Sequence, residues 1–395
     1  MFWKSTAALA TALAFASASP HSPVSDSEIE GIVCGIQKYG RASNWPSDQV
    51  QIVRDTMGMK DNGYYTRSGA SLPSSVDPAC TISTYNTAAI KAVVSSCSSI
   101  VVKDLTVPAN STLDLSAVKA GTTITFEGRT TWEYGDKNYD LLKFGGSGVT
   151  IQGAPCSVID GNGAAWWDGI GSNGGRAKPN HMITGSKLTG DSVIKNLYIQ
   201  NAPTHVFYIS GAFGLTMRGI LIDMKDGYAM VPGSEDLEYG HNTDGFDVSG
   251  STLVTMTNNV VFNQDDAVVV TSGGDIVWDN SYCYGGHGAS VGSVGLKSNN
   301  TVDGVIFSNT KIIASQNGAR IKTNSGASGL VNNVTYSNID VQDISIYGLD
   351  IQQDYLNGGP TGEPTDGVNI TNIFMHNIHG NVLADAKPLL HPRWR

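Results

Sequence analysis

Three carboxylates and one imidazole recur at a regular spacing in the middle of the chain. The interval from Asp244 to Asp265 equals the interval from Asp266 to His287. If a structural repeat has that length, all four side chains come together in one patch. Like charges this close cannot all ionise, so at least one carboxyl should have a raised pKa and hold a proton. Glycosidic-bond hydrolysis requires such a pair, an acid for the leaving oxygen and a base for water.

The two adjacent acids need a special position in the fold. They interrupt the stretch VVFNQDDAVVV, residues 260–270, which is otherwise β-branched and apolar like a strand interior. A strand buried on both faces has no place for adjacent carboxylates, because each unpaired charge taken out of water is costly. We therefore expect the chain to bend at Asp265 and Asp266, so that both side chains face a cleft.

A pair of cations follows the acids. Arg320 and Lys322, in the segment NGARIKT, follow His287 at a distance of one or two repeats. Alternation along a strand places both on one face. Beside an acid cluster in an acidic protein, they indicate a substrate that carries its own carboxylate, for which arginine offers a bidentate fork.

Each of these features also has an ordinary interpretation. An Asp-Asp pair is usually a solvated turn or a cation site, a histidine among glycines is usually a loop residue, and Arg-x-Lys is usually a polar strand face. The shared spacing favours a catalytic site. Its main rival at this point is calcium, which three carboxylates could bind.

The elements that must position these side chains are short strands joined by turns, repeated beyond about residue 80. Asparagine or glycine aligns at the turns, with a shortest spacing equal to that of the acids and longer spacings where a loop is inserted; these residues are Asn196, Gly219, Asn259, Asn280, Gly304, Asn333 and Asn372. A strand-and-turn repeat of roughly 20 to 30 residues is typical of a solenoid. We therefore predict an all-β fold, a single-stranded right-handed parallel β-helix, with a β-sandwich or propeller as the alternative.

The composition restricts the partners and the location. A net charge of −10 and a pI near 5.2 argue against nucleic-acid and membrane-surface partners. Residues 1–18 have one lysine, a short apolar run and small residues, as a secretory signal peptide does. Four glycosylation sequons support secretion to the extracellular space; they begin at Asn110, Asn299, Asn333 and Asn369.

Cysteine number and spacing argue for disulfides rather than a metal centre. Secretion favours disulfides, but five cysteines leave at least one thiol without a partner in the chain. None of them forms a Cys-x-x-Cys motif or a Cys/His cluster. No cofactor and no metal are expected from these residues.

Four ordered segments carry a family resemblance: NTDGFD (242–247), NQDD (263–266), GGHGASVGSVG (285–295) and ARIKT (319–323). They resemble the signature segments of the polygalacturonases, the pectin-hydrolysing glycoside hydrolases of family 28, and most of all the fungal endo-acting enzymes. The likeness extends from about residue 80 to residue 382. It implies a metal-free enzyme, expected to be monomeric, that hydrolyses α-1,4-linked galacturonan with inversion.

The resemblance also implies roles for individual residues. Asp265 resembles the general acid, and Asp244 with Asp266 resembles the pair that activates water. His287 resembles the residue that supports the protonation and orientation of that acid.

Three further residues resemble the family's substrate-binding groups. Arg320 and Lys322 resemble the binders of galacturonate carboxylates. Tyr355, in QQDY, resembles a residue that contacts substrate near the leaving group.

Three departures from the family pattern stand out. Ala267 replaces a cysteine that the family usually bridges to the position of Cys283, whereas Cys80 and Cys97 match a pair that the family commonly forms. Residues 19–79 are an extension of unknown structure, either a propeptide or a cap, in which a short helix could carry Cys34. The catalytic β-helix is expected over residues 80–395, and its C-terminal end looks truncated beside its relatives.

Three other functions compete with this interpretation. A hydrolase of a substituted pectin backbone such as xylogalacturonan would use a wider cleft, to which the loop at residues 225–241 could contribute. A calcium-dependent pectate lyase would share the β-helix. A non-catalytic β-helix that only binds pectin would keep the carboxylate-binding cations without turnover.

Overall fold

A computed structural model describes residues 24–58, 77–357 and 359–393. The predicted signal peptide at residues 1–18 lies outside the described residues. From Thr81 onward the chain winds into stacked coils whose strands are all paired in parallel with the strands of the coils before and after them. The predicted right-handed parallel β-helix is the observed fold.

Three faces form the β-helix, and each coil after the first contributes a strand or part of a strand to each face. Face 1 contains β1 (Thr81–Ile82), β2 (Ser99–Lys103), β5 (Thr123–Glu127), β8 (Thr150–Gly153), β11 (Ser192–Lys195), β14 (Phe213–Arg218), β17 (Ser251–Thr257), β20 (Gly273–Asp279) and the first halves of β23 (Thr301–Ile313), β25 (Gly329–Ile344) and β27 (Val368–Val382). Face 2 contains β3 (Thr106–Val107), β6 (Arg129–Trp132), β9 (Val158–Asp160), β12 (Tyr198–Gln200), β15 (Leu221–Asp223), β18 (Val260–Asn263), β21 (Tyr282–Gly285) and the second halves of β23, β25 and β27. Because those three long strands continue around the corner, the two faces form one sheet.

Face 3 is a separate ten-stranded sheet. It contains β4 (Leu113–Leu115), β7 (Leu142–Ser147), β10 (His181–Thr189), β13 (His205–Ser210), β16 (Phe246–Ser249), β19 (Val268–Val270), β22 (Ala289–Val294), β24 (Asn317–Asn324), β26 (Tyr347–Tyr355) and β28 (Lys387–Arg393). The candidate catalytic residues lie on this face and at the corner that leads into it.

Inward-pointing apolar side chains stack in columns along the axis. On face 3 one column in register consists of Val248, Val270, Val291, Ile321 and Ile351, all of them buried. Each such side chain removed from water contributes about 1.5–3 kcal/mol to folding. The columns therefore fix which residues of each strand point out of the β-helix, because successive side chains alternate.

Turn residues also stack along the axis, in two separate rows that we call turn ladders. The alignment made from the sequence mixes residues of the two. One ladder, with left-handed backbone throughout, is Asn196, Gly219, Asn258, Asn280, Asn309, Asn338 and Asn377. The second is Asp191, Gly214, Leu253, Asp275, Gly304, Asn333 and Asn372. The single alignment was therefore wrong at Asn259, which directly follows the first ladder, and from Gly304 onward, where it changed to the second. Asparagine and glycine serve both ladders, so residue type could not separate them.

Amide groups connect successive coils of the first ladder. Asn338 Nδ2 donates to Asn309 Oδ1 at 2.9 Å, and Asn377 Nδ2 donates to Asn338 Oδ1 at 2.8 Å. These hydrogen bonds pair the side-chain amides of residues whose backbone is left-handed. Asparagine tolerates that backbone conformation, which is why it recurs here.

The first coil is closed by a helix. The described part of the chain contains α1 (Asp26–Tyr39), α2 (Ser47–Met57), α3 (Thr87–Ser96) and short 3₁₀ turns at Ala42–Asn44, Pro78–Cys80, Gly163–Ala165, Gly171–Asn173 and Lys225–Tyr228. Ile90 and Val94 of α3 are buried in the end of the core. The predicted disulfide between Cys80 and Cys97 is present and joins the two ends of this cap. Among the described helices, none is long and apolar enough to cross a membrane.

Residues 24–58 form a helical pair that covers the outside of face 2. The helix expected to carry Cys34 is α1, and Cys34 is bonded to Cys156 of the β-helix. Trp45 donates its indole N–H to Asp223 Oδ2 at 3.0 Å and packs edge-on against Phe262. Apolar side chains of both helices and of face 2 form one buried cluster, separate from the axial core.

Glu28 anchors α1 to the β-helix through charge. Its carboxylate lies 3.3 Å from Lys195 Nζ and 3.7 Å from Arg218 Nη2, and it accepts a 2.6 Å hydrogen bond from Asn196. Burial alone would raise the pKa of Glu28. The Ser25 N–H, the two cations and Asn196 outweigh burial and lower the pKa from 4.5 to about 2.

Replacing Glu28 tests this anchor. A carboxyl whose pKa is lowered on folding stabilises the protein above its unfolded pKa, and this stability is lost as the pH falls through the folded pKa. We expect Glu28→Gln to lower the free energy of unfolding by about 1 kcal/mol near neutral pH, a modest value because the group stays partly exposed. The difference should shrink as the pH falls from 4.5 toward 2, as measured by urea unfolding.

Glu30→Gln is the matched control, since Glu30 lies on the same helix and pairs with Arg54 at 2.8 Å on the surface. A loss for Glu28→Gln that is independent of pH, or equal to that of Glu30→Gln, would contradict the buried anchor.

The sequons lie at the surface. Asn110, Asn299 and Asn369 are exposed, and Asn333 is half-buried in its turn ladder. Three of the four predicted glycosylation sites are therefore accessible to a modifying enzyme.

Candidate active site

The adjacent acids occupy the corner between β18 and β19, where the strand interior was expected to bend. The buried Asn263 holds the corner: its amide donates to the carbonyls of Thr243, Asp265 and Asp266 at 2.9–3.0 Å. With the backbone turned in this way, both carboxylates leave the strand on the outer side. The bend predicted from VVFNQDDAVVV is confirmed.

The coil register places Asp244 beside Asp266, not beside Asp265. Phe246 pairs with Val268, and Gly245 N donates to Asp266 O. On the next coil Val268 pairs with Ala289, which aligns Asp266 with His287 as the spacing predicted. The predicted equivalence of Asp244 and Asp265 is therefore wrong by one position.

The coil becomes one position shorter at the glycine-rich turn after β21. Tyr282 to Gly285 still pair with Val260 to Asn263. The sequence separation of these pairs equals that between Phe246 and its partner Val268. Gly285, Gly286 and Gly288 then have left-handed backbone, which lets the chain reach β22 sooner. Asp265 consequently precedes the row formed by Asp244, Asp266 and His287.

Asp265 and His287 form an ion pair. Asp265 Oδ1 lies 2.9 Å from His287 Nδ1 and accepts the Asp266 N–H, while Oδ2 accepts from Asn242. Burial raises the pKa of Asp265, but His287, Lys322 and the Asp266 amide together hold it well below the ordinary value. Burial lowers the pKa of His287, but Asp265 and Asp266 raise it above 6.5. The proton of this pair therefore rests on the imidazole when the cleft is empty.

Asp266 is held by a cation and a hydroxyl. Lys322 Nζ lies 2.6 Å from Asp266 Oδ2, and Ser290 Oγ donates to Oδ1 at 2.5 Å. All three side chains are buried. The two bonds fix the carboxylate in one orientation.

Asp244 and Asp247 are the carboxyls of the cluster whose pKa values are raised. Burial, followed by the charges of Asp265, Asp247 and Asp266, raises the pKa of Asp244 well above its ordinary value. Burial also raises the pKa of Asp247 to about 6, against the opposing effect of His205 and the neighbouring His181. The raised carboxyl pKa expected from the spacing is thus found.

The cations extend the site by one coil. Ser290 pairs with Arg320, so Arg320 and Lys322 lie on the coil directly after that of His287, as predicted. Arg320 Nη2 donates to Gln352 at 2.8 Å, and its Nε lies 3.3 Å from Asp350. The Tyr355 ring lies beside both cations, 5.5 Å from the Arg320 guanidinium carbon and 5.3 Å from Lys322 Nζ.

Several site residues escaped the sequence analysis. Asp247 follows Asp244 on the same coil, and its carboxylate lies within 4.8 Å of ligand atoms of Asp244 and His205. The register of β13 with β16 places His205 beside Asp244, and His205 Nε2 is 3.5 Å from Asp244 Oδ1. The long gap between Gly219 and Asn259 in the turn alignment was a signal for the inserted loop that separates these two coils. The residue types of Asn242 and Ser290 did not indicate that these residues belong to the site.

Among the residues that the structure describes, two groups of ligand atoms are close enough together to hold a metal ion. They are His205 with Asp244 and Asp247, and Asp265 with Asp266 and His287. Each includes an imidazole, whereas calcium prefers oxygen ligands. The ammonium of Lys322 already binds Asp266, and a divalent cation there would be repelled by it. The donor set therefore does not fit the calcium alternative.

Comparison with known proteins decides the family. A model of the glycosyl hydrolases of family 28 matches residues 97–390. The chain belongs to this family. As a member of family 28 it is a glycoside hydrolase.

Relatives of known name agree. A polygalacturonase of Fusarium fujikuroi is 50% identical over 323 residues, covering 80% of this chain and 86% of the relative. A probable endopolygalacturonase D of Aspergillus flavus is 50% identical over 309 residues, covering 78% of this chain and 62% of that longer protein.

Solved structures show the same architecture. Endopolygalacturonase I of Stereum purpureum, complexed with two galacturonates, superposes with a TM-score of 0.63 at 27% identity, covering 79% of this chain and all of that one. An endo-xylogalacturonan hydrolase of Aspergillus tubingensis gives the same TM-score at 26% identity, covering 78% and 89% of the two chains.

This family 28 chain keeps Cys283 as a thiol. Cys283 and Ala267 are both fully buried in the axial core, and burial raises the pKa of the thiol. Since Ala267 has no thiol, apolar packing surrounds Cys283 beside the corner.

The pKa of Asp247 yields a stability prediction. Because its pKa is raised on folding, the folded state binds more protons than the unfolded state between 3.8 and about 6, and wild-type stability falls as the pH rises through this window. Asp247→Asn cannot ionise. We expect the variant to exceed the wild type in unfolding free energy above pH 6 by up to about 3 kcal/mol, and to lose this advantage below 3.8.

Urea unfolding across this pH range measures the effect. The exposed Asp366→Asn is the control and should show no such change. An advantage of Asp247→Asn that is the same at both ends of the range would refute the burial explanation.

Proposed function

We propose that this chain is an endo-acting polygalacturonase that hydrolyses α-1,4-galacturonosyl bonds by single displacement with inversion. The observation that carries the proposal is the division of charge within one corner. Asp265 pairs with a protonated imidazole, Asp266 forms an ion pair with Lys322, and Arg320 and Tyr355 lie on the adjoining coils.

Asp265 is assigned the general acid role through its pair with His287. In the empty site the proton rests on His287 Nδ1, 2.9 Å from Asp265 Oδ1. A bound substrate displaces water and brings carboxylates near the pair, which favours the proton on Asp265. Asp265 then protonates the glycosidic oxygen as the bond from that oxygen to the anomeric carbon breaks.

Asp266 and Asp244 are assigned to the water. Asp266 is oriented by Lys322 and Ser290, so that it can accept a proton as water attacks the anomeric carbon from the opposite face. The raised pKa of Asp244 conflicts with a simple picture of two equal bases. We assign Asp244 to orienting the water and sharing the proton that Asp266 receives, as expected for coupled carboxyls.

Arg320 and Lys322 are assigned to the carboxylate of the sugar on the leaving-group side. Both are almost completely buried, and their charges face an outer surface bordered by the Tyr355 ring. A buried cation that already has partners binds an anionic, planar ligand such as a carboxylate more strongly than a neutral ligand, because the hydrogen bonds are charge-assisted. The face of Tyr355 offers an apolar surface for the sugar ring.

The setting of the enzyme follows from the same assignment. We assign it to the extracellular space as a glycosylated monomer acting on pectin, with the exposed sequons as modification sites. The two relatives described above, both from fungi, have polygalacturonase names.

A second candidate is a hydrolase of xylogalacturonan. The likeness to the endo-xylogalacturonan hydrolase, at a TM-score of 0.63, equals that to the endopolygalacturonase. Incubation with plain polygalacturonate and with xylose-substituted polymer separates the two, since the faster release of reducing ends identifies the backbone that the cleft accepts.

Removing the general acid should stop turnover. We expect Asp265→Asn to lower kcat on polygalacturonate by roughly 10²- to 10⁴-fold, the usual contribution of general acid catalysis, while the fold is retained by circular dichroism. Assays in chelator follow reducing ends and ultraviolet absorbance together, because a lyase product absorbs and a hydrolase product does not.

Asp236→Asn, an exposed change in the nearby loop, is the control and should leave kcat unchanged. Retained activity of Asp265→Asn would remove Asp265 from the acid role, and new ultraviolet absorbance would identify a lyase.

Removing a carboxylate-binding cation should weaken substrate binding. We expect Arg320→Gln to raise KM for polygalacturonate by about tenfold, which corresponds to about 1.4 kcal/mol. The exposed Lys311→Gln, on face 2 of the same coil, serves as control. Equal KM values for Arg320→Gln and wild type would exclude Arg320 from carboxylate binding.

A further inference from the structure

The helical pair at residues 24–58 binds the start of the loop that leads to the catalytic corner. Lys225, the first residue of a 3₁₀ turn after β15, donates from Nζ to the carbonyl of Asn44 at 2.5 Å and to Gln49 Oε1 at 2.8 Å. The same ammonium lies 3.0 Å from the centroid of the Trp45 ring. Because the lysine side chain is buried in these contacts, the helical pair fixes the beginning of the turn.

The next residue of the turn, Asp226, binds the helical pair as well. Its Oδ1 accepts a hydrogen bond from Asn44 Nδ2 at 2.8 Å and lies 3.2 Å from Arg41 Nε. Its Oδ2 accepts from Asn201, the residue after β12, at 3.0 Å. One carboxylate therefore connects the turn, the helical pair and face 2.

The last residue of the turn, Tyr228, connects it to two coils of the catalytic corner. Its hydroxyl oxygen lies 3.1 Å from the carbonyl oxygen of Asn263 and 2.9 Å from that of Tyr284, so one hydroxyl is hydrogen-bonded to both coils. Asn263 lies just before Asp265 in the chain, and Tyr284 lies just before His287. Tyr228 therefore links the two segments that carry the general acid and its imidazole partner.

The turn also fixes the segment that leads to Asp244. Gly240 N donates to the carbonyl of Gly227 at 2.9 Å, which joins the end of the loop to its start. A Cβ added at Gly240 would lie only 2.5 Å from Gln264 Oε1, so this segment packs directly against the corner. Asn242 and Asp244 follow Gly240 in the same segment. The turn is thus connected to the corner along two routes.

We propose that Lys225 and Tyr228 are positioning residues, through which the helical pair holds the general acid and its imidazole partner in their catalytic geometry. This inference rests on the proposed function, since it assigns a role in the same reaction. Tyr228 acts through the backbone of the two coils, and Lys225 acts by holding the turn that carries Tyr228. A small displacement is costly, because proton transfer requires hydrogen-bond reach between the groups.

Removing the hydroxyl or the ammonium tests this link. We measure kcat and KM on polygalacturonate for the wild type, Tyr228→Phe, Lys225→Met and the double variant. Each single variant should lower kcat about tenfold with KM changed less than about twofold, because the substrate-binding cations are untouched. The double variant should lose no more than the weaker of the two single variants, since both changes break one path. A loss equal to the product of the two single losses overturns the shared path.

The pH profile of kcat/KM distinguishes positioning from a loss of folded enzyme. Burial lowers the pKa of His287, whereas Asp265 and Asp266 raise it. Lys322 lowers it, and the imidazole of His241 is a further neighbour. A longer contact between His287 and Asp265 lowers this pKa, so the basic limb of the profile should move to lower pH in both single variants. A smaller amount of folded enzyme would lower the rate equally at every pH and leave the limb in place.

Two variants are matched controls. Tyr85→Phe removes a hydroxyl that donates to the carbonyl of Thr112 at 3.0 Å, near the start of the β-helix. Lys195→Met removes another buried lysine that binds the helical pair, but through Glu28 rather than through the turn. Both should keep the kcat and the pH profile of the wild type. Unchanged kcat in Tyr228→Phe, an unshifted basic limb, or an equal loss in Lys195→Met overturns the proposal.

Asn44→Ala keeps the test decisive if Lys225→Met folds poorly. It removes the hydrogen bond to Asp226 from the side of the helical pair and leaves the turn itself unaltered. This variant should lower kcat and shift the basic limb in the same direction as Tyr228→Phe. Wild-type values of both quantities would contradict a role of the helical pair.

Failure of the proposed function gives a different result. A folded wild type that releases no reducing ends from galacturonan contradicts the enzyme assignment. NMR titration of the histidine-labelled chain then decides the inference, with the His287 signal identified by its absence in His287→Gln. A lower pKa of His287 in Tyr228→Phe than in the wild type supports the positioning role, and an equal pKa overturns it.

Discussion

Backbone hydrogen bonding between parallel coils is the constraint on which the rest of the structure depends. It places each residue directly beside its counterpart on the next coil, about 4.8 Å away. Side chains that are far apart in sequence thereby become neighbours in rows, such as Asp244, Asp266 and His287. A small change in coil length, as at the turn after β21, changes which side chains meet.

The rows bring acidic and basic groups into contact and so determine their protonation. Two carboxylates of the corner have close basic partners, His287 for Asp265 and Lys322 for Asp266. Asp244 has only a more distant imidazole, at 3.5 Å, and three acidic neighbours. The pKa of Asp265 is lowered and that of Asp244 is raised although both are buried, because burial strengthens attraction and repulsion alike. Aspartates of the same corner therefore take different roles because they lie at different positions in the rows.

Part of this arrangement could be predicted from the sequence. The approximate coil period, the bend at Asp265 and Asp266, and the location of Arg320 on the next coil all follow from spacing and from the cost of buried charge. Register to the nearest residue could not be predicted, because asparagine and glycine suit either turn ladder. His205 was missed since a long insertion separates its coil from that of Asp244.

The position of the helical pair on face 2 could not be predicted from the sequence. Its contacts with face 2, such as Trp45 to Asp223, are between side chains with no periodic pattern. The amphipathic pattern of α1 indicates that one side is buried but does not identify the partner.

This helical pair also imposes an order on folding. Residues 24–58 leave the ribosome early, yet the surface they cover extends as far as Ile313. Trp45 has no Phe262 to pack against until β18 has joined face 2, and Glu28 lacks Arg218 until β14 is in place. This early part of the chain is therefore among the last to reach its native contacts, and its apolar side chains stay exposed during synthesis. Folding of this chain should slow, and aggregation should increase, wherever formation of the docking surface on face 2 is delayed.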